Sequence, residues 1–408
     1  MPDTFHKKLL KETAQQTRKK KAVYGEDVNI MDFKLPLKNQ HAKIINPSEL
    51  NNAKEISFLR KAGFSDNDSR TSGSYLQYDF DTICHNSRTT GVEVLPIDEA
   101  WEKHGDWLGD YWWKNVSIET DKYTAEVELN STRGYFIHVK AGTKVIYPLQ
   151  SCLFISRNFG SQNVHNIVIV EEKADIHIIT GCTTSVKAGL HIGVSEFYVQ
   201  ERANLTFTMI HNWEEGFYVR PRSVTTVKEG GTFTNNYIVL DPVKSLQLFP
   251  TTILDTDASA RYNSILFGHP HSHLDVGGKV VLQGSRARAE VMSRAVSAGG
   301  SIIARGILEG KGSNIKAHLS CDGLILKENG QIYAIPELIA NRPDVEMSHE
   351  ASIGRIGEDQ LNYLQARGMT EEEATDMIVR GFLSVDIEGL RPEIAAELDK
   401  IIDMPKGF

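Results

Sequence analysis

Cysteine is scarce in this chain of 408 residues: there are four, Cys84, Cys152, Cys182 and Cys321, and no two are close in sequence. Scattered single thiols exclude a disulfide framework, and the lack of paired spacing excludes a zinc-ribbon site, so any metal centre has to be assembled in three dimensions. Cys84 and Cys152 read simply as small buried hydrophobes. Apolar runs long enough to cross a bilayer are missing as well, and the charged start from Met1 to Lys8 has no signal-peptide core, so a cytosolic protein is expected. No charge sign dominates: 45 basic against 53 acidic residues leave a net charge of -8, which argues against a nucleic-acid role. The basic stretch from His6 to Lys21 reads as the solvated face of an N-terminal helix. A phosphate loop is also absent. Its nearest approach, Gly306 to Lys311 in GILEGKG, is one residue short before Gly-Lys and has no Ser or Thr after it.

What the chain does have is enough apolar residues, 40% of the total, to bury a large core, and length for two or three domains. Its middle carries a repeat. Small residues recur at Ala174, Ala203, Gly231, Ala258, Ala287 and Ser313, in steps of 29, 28, 27, 29 and 26 residues. Each is preceded by a polar turn and followed by alternating side chains rich in Ile, Val, Thr, Phe and Tyr, which is a strand pattern. Such a period fits one rung of a parallel β-helix, each rung covering the next, with the small residue at a tight corner. A β-sandwich with accidental spacing is the alternative.

The flanks read as helical. Pro47 to Phe64 has Ser48 as a cap, and Ile97 to Trp113 carries Trp101, Trp107, Trp112 and Trp113, expected to pack on the end of the coil. Glu358 to Arg367 is a helix ended by Gly368, Thr370 with Glu373 is a capping box for another, and Arg391 to Met404 adds a further candidate. The expected order is a helical N-terminal region (1–130), a parallel β-helix core (131–345) and a helical C-terminal domain (346–408): mainly β with α flanks.

Two spacings in this order carry chemistry. Cys321 and His349 are 28 residues apart, about one rung, so their side chains would stack on adjacent rungs and face the same way. Thiolate, imidazole and a carboxylate such as that of the neighbouring Glu350 are donor groups that a transition-metal or iron–sulfur centre can take. A buried Cys321 and a turn-capping His349 remain the alternative. His269, His271 and His273 alternate as metal ligands on one strand face would, yet Pro270 between them favours an exposed turn.

Several segments resemble the SufB/SufD family of iron–sulfur cluster scaffolds: GYFIHVKAGTKVIYPLQS (Gly134 to Ser151), ITGCTTSVKAGLHIGVSEFYV (Ile179 to Val199), AHLSCDGLIL around Cys321 and, most specifically, HEASIGRIGEDQLNYLQARGMTEEEA (His349 to Ala374). The resemblance covers roughly residues 90 to 385. It implies a right-handed parallel β-helix that receives persulfide sulfur and iron and builds a transient cluster. It also implies C-terminal helices that dock a SufC-type ATPase, here around Leu361, Tyr363, Leu364, Ala374, Met377, Ile378 and Phe382. Those positions also suit the core of the C-terminal domain.

Cys182, in Gly181-Cys182-Thr183, resembles the family's sulfur acceptor. That role needs a thiolate and a path from the surface, so burial inside the coil would demand a tunnel, and Lys187, Arg202 or His191 are candidates to lower its pKa. Cys321, His349 and Glu350 are too few ligands on one chain, and the resemblance implies two chains meeting edge to edge, SufB giving the cysteine and SufD the histidine. One chain carries both here, so a homodimer is expected beside pairing with a second SufB/SufD subunit. HLDVGGKVVL is more SufD-like, which leaves a structural SufD-like role without its own cluster as an alternative. The sulfur donor, a cysteine desulfurase system or sulfide, and the participation of a reduced flavin stay open. A carbohydrate-active β-helix enzyme is the competing class, with Asp255, Asp257, Asp275 and Arg261 as its groove residues.

Overall fold

The computed structural model describes residues 2–36, 53–64 and 70–383. The alternating segments of the middle form a parallel β-solenoid of about 8 turns. One sheet stacks, among others, Asp175–Thr184, Asn204–Asn212, Thr232–Val239, Ser259–Gly268, Arg288–Ser297, Ile315–Ile325 and Val345–Gly354. The other stacks Gly160–Val170, Ala188–Val199, His273–Leu282, Ser301–Gly310 and Gln331–Ala340, with shorter strands between. Registers run in parallel from rung to rung: Asp175 opposes Asn204, Asn204 opposes Thr232, and Thr232 opposes Ser259.

The repeated small residue is the corner, except on the last repeat, where Ile315 and not the expected Ser313 follows the left-handed residue Asn314. Ala174, Ala203 and Ala258 are fully buried, and each closes a four-residue turn by donating its N–H to the carbonyl three residues back, at Glu171, Gln200 and Asp255. The residue before each, Lys173, Arg202 or Asp257, has φ of 56 to 58°, the left-handed region normally kept for Gly or Asn. What holds it there is visible: the N–H of Lys173 donates to Glu201, that of Arg202 to Glu229 and that of Asp257 to Ser285, each on the next corner. The left-handed turn aims one donor along the coil axis, so a column of backbone hydrogen bonds offsets the local strain.

Inside, both sheets contribute one continuous apolar core, including Ile176, Ile178, Val199, Leu205, Phe233 and Leu266. The outer faces are clad by helices. Pro2–Thr17 and Lys122–Leu129 lie on each other, and Tyr123, Ala125 and Val127 pack on the outward Leu190, Ile192 and Val194. Ile97–Leu108 places Ile97, Trp101 and Leu108 against Phe136, Ile167 and Ile169. The tryptophans therefore cover the lateral face of a sheet and do not cap the coil's end. The basic stretch does start in a helix, as expected.

Other boundaries move. The described helix, Ala53–Lys61, ends before the expected Phe64, while residues 47–52, Ser48 among them, lie outside the described residues. The region 1–130 also contains strands Gly73–Tyr78, Asp81–Ser87 and Val92–Pro96, which begin both sheets, so it is not purely helical. At the other end the strand Val345–Gly354 carries the sheet past residue 346 before helices Glu358–Gln365 and Glu371–Leu383 follow. Gly368 has φ 96°, and the Thr370–Glu373 capping box forms, with reciprocal bonds of 2.8 and 3.2 Å. The candidate helix from Arg391 to Met404 lies outside the described residues.

Candidate functional site

Among the described residues the last strands of the solenoid have an unpaired edge. No described strand pairs with the far side of Val345–Gly354 or of Gln331–Ala340, and Tyr333, Ile335, Ile339 and Ile353 are exposed along these last strands. Cys321 lies one strand in from this edge, in the inward row Ile315, Ala317, Leu319, Cys321. It is 5% exposed, and burial, helped by the neighbouring Asp322, pushes its thiol up to about 11.

His349 stands on the edge strand itself, opposite Leu319, while Cys321 opposes Ala351. The rung is 30 residues long at this point, since Ile315 opposes Val345. The equal stacking expected from a 28-residue step therefore becomes a diagonal offset of two residues along the same inward row. Glu350 falls on the opposite face, because strand neighbours alternate. It opposes Ser320 and reaches His318, Nε2 to Oε1 3.6 Å, while Nδ1 of His318 lies 2.9 Å from Ser348 Oγ. His318 is the residue that sequence reading missed. It stands two positions before Ser320 on the same outward row, and its meeting with Glu350 is predictable only once the 30-residue register is known.

Thiolate, imidazole and carboxylate suit iron, but among the described residues no three His, Cys, Asp or Glu side chains gather in a metal-holding group. One chain thus supplies a partial donor set. The histidine triplet does not form a site either: His269 Nε2 is spent on the Leu240 carbonyl at 2.8 Å, His271 sits in a turn with φ 66°, and His273 is exposed at the start of a strand. The turn that Pro270 favours is what forms.

Cys182 is elsewhere, fully buried inside the coil in the row Ile176, Ile178, Thr180, Cys182. The preceding Gly181 faces outward against the Ala62 carbonyl, where any Cβ would collide, so the glycine lets the short helix Ala53–Lys61 dock behind the cysteine. Around Cys182 Sγ stand His191 Nε2 at 3.8 Å and Met209 Sδ at 3.7 Å, with His211 directly opposite on the next rung. His211 Nδ1 lies 2.9 Å from the Tyr237 hydroxyl. The indole N–H of buried Trp213 has no hydrogen-bond partner among the described residues, and its ring lies 5.3 Å from His191 and 5.5 Å from His211. A cavity of about 40 Å³ extends from Met209 and His211 past Tyr237 to Tyr262, large enough for a sulfide-sized species.

The electrostatics of this chamber reverse one expectation. Lys187 is paired with Glu214 at the surface and Arg202 with Glu172, so neither serves Cys182. Of the three candidates only His191 touches it, and burial drives that imidazole down to about 3 and the Cys182 thiol up, so both rest neutral. Cys84 and Cys152 are buried thiols raised by desolvation.

On the C-terminal helices the expected docking residues divide. Ala374 is buried, and Phe382 packs with Val379 and Leu383 on Ile179, Ile210, Ile238 and Phe267 of the first sheet. Tyr363 and Met377 are 58% and 48% exposed, with Leu361, Leu364 and Ile378 half-buried. Three of the four carbohydrate-enzyme residues are engaged in ties between rungs, Asp257 with Arg286, Arg261 with Glu290, and Asp275 bidentate with Arg305, while Asp255 accepts from the N–H of the adjacent Thr256. Arg261 and Asp275 stand on different sheets, so they do not share one groove.

Comparison with known proteins points one way. A family model described as SUF system FeS cluster assembly, SufBD core domain, matches residues 154–382. An "Iron-sulfur cluster assembly SufBD family protein" of Methanothermobacter thermautotrophicus is 44% identical over 96% of this chain and 97% of its own length. A protein of the same description from Archaeoglobus fulgidus is 45% identical over 85% of this chain and 94% of its own. The "Iron-sulfur cluster assembly protein SufB" of Bacillus subtilis is 28% identical over 81% of this chain and 73% of its own.

Proposed function

The chain belongs to the SufB/SufD family of iron–sulfur cluster assembly proteins, and from that premise we propose that it is a scaffold on which sulfur enters at Cys182 and a nascent cluster is built at Cys321, His349 and Glu350. The observation that carries this reading is the unpaired edge: the inward row holding Cys321 is continued by His349 on a strand whose far side no described strand covers. A cluster needs about four protein ligands, typically thiolates. Two copies meeting along Val345–Gly354 double the partial set, and the exposed apolar side chains of the last strands would be buried in the same contact. Pairing with a second SufB/SufD subunit fits the same edge.

Cys182 and Cys321 are five strand spacings apart, from Asp175–Thr184 to Ile315–Ile325, or ~24 Å along the coil. Sulfur delivered at Cys182 therefore travels inside the solenoid as a small species, and the Met209–Tyr262 cavity supports such a route. The donor is a cysteine desulfurase system or sulfide. In this reading the protein hydrolyses no nucleotide itself. A SufC-type ATPase docks on the exposed faces of the two C-terminal helices at Tyr363 and Met377; the other face of Glu371–Leu383 is held to the sheet, and Glu358–Gln365 packs on that helix. No helix among the described residues is long and apolar enough to cross a membrane.

The test is anaerobic reconstitution with iron and sulfide, reading absorbance, bound iron and mass by light scattering for wild type, Cys321→Ser and His349→Ala. Loss of the chromophore in both variants of a dimer is expected. An unchanged chromophore in both removes the cluster site from this edge and puts it elsewhere on the protein, whereas no chromophore under any condition favours a structural, SufD-like subunit.

A further inference from the structure

Cys182 does not sit among inert apolar neighbours; it ends a chain of hydrogen bonds whose directions can be fixed one by one. Gln162 Nε2 lies 3.2 Å from the Asp79 carbonyl and 3.3 Å from the Phe154 carbonyl, both pure acceptors, so this atom is the amide nitrogen and the other is the oxygen. Gln162 Oε1 therefore accepts from His191 Nδ1 at 3.1 Å. With its hydrogen on Nδ1, a neutral imidazole has a bare Nε2, and this is the atom that faces Cys182 Sγ at 3.8 Å. All three side chains are buried within the coil. The Met209 sulfur is a far weaker acceptor than an imidazole nitrogen, so the thiol hydrogen belongs to His191.

We propose that His191, held in one tautomer by Gln162, is the catalytic base that takes the Cys182 proton as sulfur is transferred to that thiol. This rests on the reading of Cys182 as the sulfur acceptor. A sulfane donor small enough for the interior, such as hydrogen disulfide, reacts with the Cys182 thiol to give the Cys182 persulfide and one molecule of hydrogen sulfide. The Cys182 sulfur forms the new S–S bond with one sulfur of the donor while the donor's own S–S bond breaks. The thiol proton passes to His191 Nε2 and from there to the departing hydrosulfide. The exchange involves no net oxidation. Burial disfavours a resting thiolate–imidazolium pair, so the proton moves only as the S–S bond forms and the site stays unreactive between transfers. Inside the coil, His191 Nε2 is the imidazole nitrogen that faces the thiol and can receive that proton.

The experiment treats the full-length protein anaerobically with sodium disulfide and follows, by peptide mass spectrometry, the gain of one sulfur on Cys182 and, as internal control, on Cys321. Wild type, His191→Gln, Gln162→Leu and Cys182→Ser are compared, with melting temperatures measured alongside. The expected result is a loss of about a hundredfold in the Cys182 rate for His191→Gln, a smaller loss for Gln162→Leu, which frees the tautomer, and no change at Cys321. An equal Cys182 rate in wild type and His191→Gln overturns the base and leaves the sulfur-acceptor reading standing. No sulfur on wild-type Cys182 while Cys321 is modified overturns both. If His191→Gln does not fold, Gln162→Leu decides: an unchanged rate there overturns the relay.

Discussion

The two cysteines given chemical roles sit in opposite kinds of place. Cys182 is sealed at mid-coil with rungs on both sides, whereas Cys321 lies one strand from an edge that no described strand covers. At mid-coil the thiol is flanked by His191, Met209 and His211, set by the neighbouring strands. At the unpaired edge the donor set is partial and the strand that presents it is mostly exposed. A solenoid thus offers two environments in one fold: a buried interior that raises the Cys182 thiol, and a terminal edge with an unpaired side among the described residues.

The largest expected difference between the regions is in stability. Ile178 is fully buried in the row leading to Cys182, and Ile178→Ala should cost about 3 kcal/mol through lost burial and the cavity left behind. Urea midpoints would show it. A loss under about 1 kcal/mol would mean that the mid-coil is loosely packed, and the contrast would fail.

Acid should act on the interior next. His191 is held near 3 in the folded protein against about 6.5 unfolded, so between those values the unfolded chain binds the extra proton. Stability is fully present above the unfolded value and is lost as pH falls through this window, by up to about 1.4 kcal/mol per pH unit from this group. His211, opposite Cys182 and also lowered by burial, adds in the same direction. His191→Gln should make the fall between about pH 6 and pH 4 measurably shallower in urea titrations. Equal slopes would show that the chamber admits water and protons.

Thiol reactivity sharpens the contrast further. Burial raises both thiols, yet Cys321, at about 11, keeps slight exposure, so iodoacetamide should label it at least about tenfold faster than Cys182 in the native protein. Its labelling should rise about tenfold per pH unit between roughly 7 and 9, as thiolate forms below its pKa. Faster labelling of Cys182 would reveal an opening of the coil.

How much of this was legible depends on which residues carry it. The rungs were readable because a left-handed corner demands a small buried residue after it, and Ala174, Ala203, Ala258 and Ala287 repeat that demand along the chain. Strands Gly73–Tyr78 and Asp81–Ser87 were not, because they precede the repeat and are rich in polar residues. At the edge, counting rungs from the middle put His349 beside Cys321, but the last rung is longer and shifts it by two. That Glu350 turns away from His349 follows from strand alternation alone and was readable in principle. The Gln162–His191–Cys182 chain was not: Cys182 and His191 are close in sequence, yet Gln162 lies 29 residues before His191, and only the register of two sheets aims all three inward.

The smallest expected effect on stability is at the unpaired edge, and there it is the smallness that informs. Ile353 is 39% exposed on the terminal strand, so Ile353→Glu removes little burial from a single chain and should change its stability to urea by less than ~0.5 kcal/mol. In a paired edge the same substitution places a charge against its own symmetry mate in a contact that excludes water, which costs far more. Light scattering should therefore show a fall in mass toward the single chain at unchanged chain stability, together with loss of the reconstituted chromophore. A mass and a chromophore both unchanged would show that this edge is not where two chains meet, and the ligands completing Cys321 and His349 would have to come from another surface.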